Sequence, residues 1–86
     1  MTETIDETTV GNLNGVPVPM GNMTIGPYTL PDGRQTEGWI CSLALPNQTG
    51  VFVGVGSVVN VGGVSWRVVE VEKDKGKLGS VTLVAE

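Results

Sequence analysis

The sequence predicts a small all-β protein, a barrel or sandwich of about five or six antiparallel strands carried behind an extended N-terminal arm. Three observations predict it. The stretch from Val51 to Val84 consists of valine-rich runs separated by glycine pairs and one polar tip. No stretch sustains the helical spacing of apolar residues. Turn signals recur every few residues, supplied by 13 glycines and 5 prolines. The expected division is an arm over residues 1–23 and a β domain over residues 24–86.

The arm begins with Met1 to Val10, rich in threonine and acid, where Glu3, Asp6 and Glu7 have no basic neighbour. Threonines make this a poor helix, and it reads as a solvated tail or as a segment that orders on a neighbouring subunit. In Val16-Pro17-Val18-Pro19 the prolines fix extended backbone and remove ladder donors, which suits an edge strand or an arm and not a central strand. Val16, Val18, Met20 and Met23 are single apolar residues along that backbone, and they are the expected partner contacts of the arm. Methionine adapts well to such surfaces.

Pro31-Asp32-Gly33 is a turn with a mechanism: proline presets φ and glycine accepts a positive one. It predicts a hairpin from about Met23 to Leu43. In the strand that follows, Trp39, Cys41 and Leu43 share one face and Ile40 takes the other. Residues 44–50 form the next connection. In Val51 to Val55, Phe52 is out of phase with Val51, Val53 and Val55. Gly54 and Gly56 predict a bulge or a close backbone approach. Gly62-Gly63 is a two-residue hairpin signal. In the return strand Val64, Trp66 and Val68 share a face, and the change of phase at Val69 predicts a bulge or a strand that leaves one sheet for another. Lys73 to Gly79 is a charged tip, and Val81, Leu83 and Ala85 close the sheet.

The chain has 86 residues and a net charge of −4, from 5 basic and 9 acidic residues. That balance argues against bulk binding to nucleic acid or to an anionic membrane. A chain this short buries little surface, and only 40 % of its residues are apolar, so oligomerisation is the expected source of further stability. The acidic, polar start lacks the basic and apolar regions of a signal peptide, and synthesis in the cytoplasm is expected.

The sequence contains no histidine and one cysteine. That removes the commonest general base and the usual zinc ligand sets. Cys41 reads as a small buried hydrophobe. Glu70 and Glu72 share a strand face as a carboxylate pair, and they read as a solvent face leading to a loop. Gly54 and Gly56 do not complete a nucleotide loop, because Val59 stands where the third glycine belongs. No catalytic residue, metal site or cofactor is expected, and the chain is read as not an enzyme. The lysines of the tip, Lys73, Lys75 and Lys77, are candidate electrostatic contacts, against the simpler reading of a soluble hairpin tip. Trp39, Phe52 and Trp66 are read as core in preference to stacking platforms for nucleic acid.

Residues 55–84 resemble small virion proteins of tailed bacteriophages, of the head–tail joining, head-completion or capsid decoration type. The shared pattern is a valine strand, a glycine turn, an aromatic strand, an acidic-glycine tip and a short closing strand. Gly56, Val59, Val61, Gly62, Trp66, Val68, Val71, Asp74 and Leu83 fall on it. Joining proteins often begin with a helix, whereas this chain begins with a Gly/Pro-rich segment. The resemblance implies a structural role in the virion, with other copies of the chain and other virion proteins as partners. SH3-like barrels share the pattern, which leaves a second reading: a module that binds RNA or a peptide through Arg67 and the lysine tip.

Overall fold

The computed structural model of the chain describes residues 1–46, 48–73 and 78–86. Among these residues the secondary structure is entirely β. The strands are β1 (Thr2–Asp6), β2 (Val10–Leu13), β3 (Val16–Thr29), β4 (Gln35–Leu45), β5 (Gln48–Val53), β6 (Val58–Val61), β7 (Val64–Glu72) and β8 (Ser80–Ala85). They form two antiparallel sheets of four strands, in the orders β1-β8-β7-β6 and β2-β3-β4-β5.

The all-β prediction holds, with eight strands where about five or six were expected. The additional strands arise mainly in the segment read as an arm, and this corrects the division at residue 23. β1 adds to β8 at the far end of the chain, with Thr2 opposite Val84 and Asp6 opposite Ser80. β2 and the first half of β3 form a hairpin, with Val10 opposite Pro19 and Leu13 opposite Val16. The physical reason is alternation. Ile5, Leu13, Val18, Met20 and Met23 point inward once the strands are paired, and all five are buried in the common core.

Two tight turns follow from residue choice. A two-residue hairpin loop of type I′ needs positive φ at both positions. Asn14 and Gly15 supply it at 54° and 83°, and Gly62 and Gly63 at 59° and 80°. The prolines of β3 also obey their rule. The Met20 amide donates to the Thr9 carbonyl across the first sheet edge (2.9 Å). Alternation then turns the nitrogens of Pro17 and Pro19 away from β2, toward a side that β4 does not reach, since β4 pairs with β3 from Met20 onward.

The core lies between the sheets. Trp66 is its largest fully buried side chain, with Leu13, Leu43, Leu83, Val18, Val61 and Val68 also fully buried. Cys41 is buried in the same cluster, as expected. Trp39 packs against it while half-buried, and Ile40 on the opposite face of β4 is buried outside the cluster. Phe52 departs from expectation: it is 58 % exposed and not part of the core. The predicted bulge in β7 is present as a register shift between Val68 and Glu70, which leaves Val68 buried and Val69 exposed.

Gly54 shows the close approach that its position suggested. The Tyr28 ring lies over it, and a Cβ there would fall about 2.5 Å from the ring carbons. The Tyr28 hydroxyl donates to the Val55 carbonyl (2.8 Å), holding the ring in place. Gly54→Ala is therefore expected to destabilise by about 1–3 kcal/mol, as overpacking does. Pairing it with Tyr28→Ala should cancel part of that loss in a double-mutant cycle read by urea denaturation.

Candidate interaction surface

Each sheet has one edge at the β5–β6 side of the molecule. Among the described residues β5 pairs only with β4, and β6 only with β7. The short connection Gly54–Ser57 joins them without pairing them. Two clefts of about 390 Å³ each lie along this seam. They share Val51, Val58 and Val59, and are extended by Phe52 in one and Leu45 in the other. Among the described residues no charged one lines either cleft.

The opposite side of the molecule is different. β1 and β2 lie against each other there, joined by the corner Glu7–Thr9. Thr9 donates to the Asp6 carbonyl through both its amide (3.2 Å) and its hydroxyl (2.7 Å). This is the closed side only in that β1 and β2 lie in contact, with no ladder between them among the described residues, whereas clefts run along the β5–β6 side. Sheet edges that must stay single are usually guarded by charge, proline, a bulge or a cover, and β5 has one irregularity, a register shift opposite Leu43–Leu45 with a positive φ at Gly50. Neither β5 (Gln48–Val53) nor β6 (Val58–Val61) contains a charged residue or a proline.

The residues expected as arm contacts do not reach this surface. Val18, Met20 and Met23 are core residues of the chain itself, and Val16 is half-buried against that core. They are corrected from partner contacts to internal packing. Pattern alone did not separate the two, because an apolar residue on extended backbone looks the same whether its cover comes from its own chain or from another.

Of the three lysines of the tip, the structure describes Lys73. Lys75 and Lys77 lie outside the described residues. Lys73 forms an ion pair with Glu7, so the acidic N-terminal segment and the tip do meet, within one molecule. Glu7 is only 4 % exposed, and its carboxylate also accepts from the amides of Met23 and Gly79 (both 2.9 Å). The Met23 amide is available because β3 slips register between Met20 and Met23. The Glu7 amide donates in turn to the Gly79 carbonyl (2.8 Å). The Lys73 ammonium and the two amides together hold the Glu7 carboxyl well below the usual range, at about 2. Burial, helped by the Glu7 charge, pushes the Cys41 thiol up to about 11, as suits a packing residue and not a nucleophile.

Both arginines are also engaged. The Arg34 Nε donates to Asp32 (2.6 Å), and Arg67 donates to Glu86 from Nε and Nη2 (both 3.2 Å). Among the described residues no group of three or more acidic, cysteine or histidine side chains is placed to hold a metal ion, and no helix is long and apolar enough to cross a membrane. Comparison with known proteins finds no matching family model, no matching curated protein and no matching solved structure.

Proposed function

We propose that this chain is a non-enzymatic structural protein of a tailed bacteriophage particle, acting in capsid decoration or head–tail joining through contacts between subunits. It would be made in the host cytoplasm and reside in the virion. The observation that carries this reading is the open seam between β5 and β6. It offers unpaired strand edges, apolar clefts and an exposed Phe52, which together suit the addition of another chain's backbone. The segment that resembles virion proteins supplies one wall of it, since β6, β7 and β8 are consecutive strands of one sheet.

The alternative, an RNA- or peptide-binding barrel acting through Arg67 and the lysines, finds less support. Two of its four cations, Arg67 and Lys73, already carry carboxylate partners. The direct test is mass spectrometry of particles purified from the source of the sequence. The chain should appear as a stoichiometric component, and incorporation should fall about tenfold when Phe52 is replaced by aspartate, which sets a charge in the seam. Absence of the chain from purified particles would refute the proposal.

A further inference from the structure

We infer that the seam pairs with the same seam of a second copy, β5 lying antiparallel to β5 about a two-fold axis. The inference rests on the reading of the seam as a contact surface and names its partner.

Charge selects that partner. The chain carries a net charge of −4, so most approaches of one copy to another bring like charges together. The edge strand β1 illustrates this, with Glu3 and Asp6 along it. β2 is uncharged, but β1 lies against it. The clefts along β5 and β6 are lined by valine, phenylalanine, leucine, proline and neutral polar residues. Among the described residues these two clefts carry no charge, although Asp32, Arg34 and Arg67 line a cleft beside them, so the clefts themselves can meet their own image without repulsion.

Geometry agrees with charge. A two-fold contact places the same patch on both subunits, so a strand edge must be able to face itself. β5 runs antiparallel to β4, and a second β5 antiparallel to the first continues that sheet across the axis, from four strands to eight. Its outward amides and carbonyls have no backbone partner among the described residues. Phe52 is 58 % exposed and stands on this edge strand. Pairing sets the two Phe52 side chains near the axis, where aromatic cross-strand pairs stabilise antiparallel edges.

The test is sedimentation equilibrium of the full chain from about 1 to about 500 μM, the range in which a moderate interface becomes populated. The wild type should pass from monomer to dimer, and the amides of β5 should exchange more slowly as concentration rises. Phe52→Lys should weaken the dimer by about tenfold or more, since it sets two ammonium groups near the axis. Val10→Lys, an exposed position on the closed side, should leave it unchanged. A wild type that stays monomeric throughout overturns the inference, and so does Phe52→Lys dimerising like the wild type. A monomeric chain that is nonetheless found in particles overturns only the self-pairing, with a foreign strand then the occupant of the seam. A dimeric chain absent from every particle overturns only the proposed function.

Discussion

Trp66→Ala is expected to cost about 4 kcal/mol, the upper range for truncating a fully buried aromatic. Trp66 has no exposed surface and sits between the two sheets, so little of the cavity can be filled by collapse. Small domains are stable by roughly 5–15 kcal/mol in total, which makes this a drop in Tm on the order of 20 °C. Trp66→Phe should be much milder. The indole Nε1 is buried without a hydrogen-bond partner among the described residues, a condition that itself costs about 1–3 kcal/mol. Phenylalanine removes that donor along with part of the ring, and the two effects oppose each other. Thermal and urea unfolding of both variants checks this. A phenylalanine variant as unstable as the alanine variant would mean that the unpaired nitrogen carries no penalty.

The second large effect is at Glu7. Glu7→Gln removes the charge that faces Lys73 and weakens the acceptor shared by Met23 and Gly79. A fall in Tm on the order of 10 °C at neutral pH is expected. Its pH dependence identifies the cause. The folded carboxyl titrates at about 2 against an ordinary 4.5. A depressed folded value means stability that is present above the unfolded value and is lost as pH falls through the folded one. The gap between wild type and Glu7→Gln should therefore be constant above about pH 5 and close between about pH 4.5 and pH 2. Denaturant titrations across that window measure it. A gap that does not narrow would assign the loss to packing alone.

Much of the domain from Tyr28 onward was legible because its signals are local. Pro31-Asp32-Gly33 and Gly62-Gly63 mark turns by chemistry, and the change of phase at Val69 marks a bulge by counting. The N-terminal third was misread because its partners are distant. β1 is a strand only because β8, some eighty residues later, accepts it; nothing in Thr2–Asp6 alone distinguishes it from a tail. One local signal there was available. Asn14-Gly15 between Leu13 and Val16 is a strong hairpin dipeptide, and it joins β2 to β3. Glu7 was read only as part of an acidic run, because its importance depends on three groups brought to it by the fold. The seam was not legible at all. An edge is a property of the sheet order, and a valine strand carries no mark of how many neighbours it will have.

The prolines of β3 set a limit on how far any assembly can grow. Pro17 and Pro19 present a strand margin that has no donors, on the side that β4 leaves bare. β1 and β2 lie against each other, with no ladder between them among the described residues. A β5 edge that pairs with its own copy has a valence of one. An isologous contact consumes that valence on both partners at once. Self-pairing along this edge therefore ends at two copies and cannot propagate into a fibre, however valine-rich the strands are. Any larger array has to use another surface of the molecule.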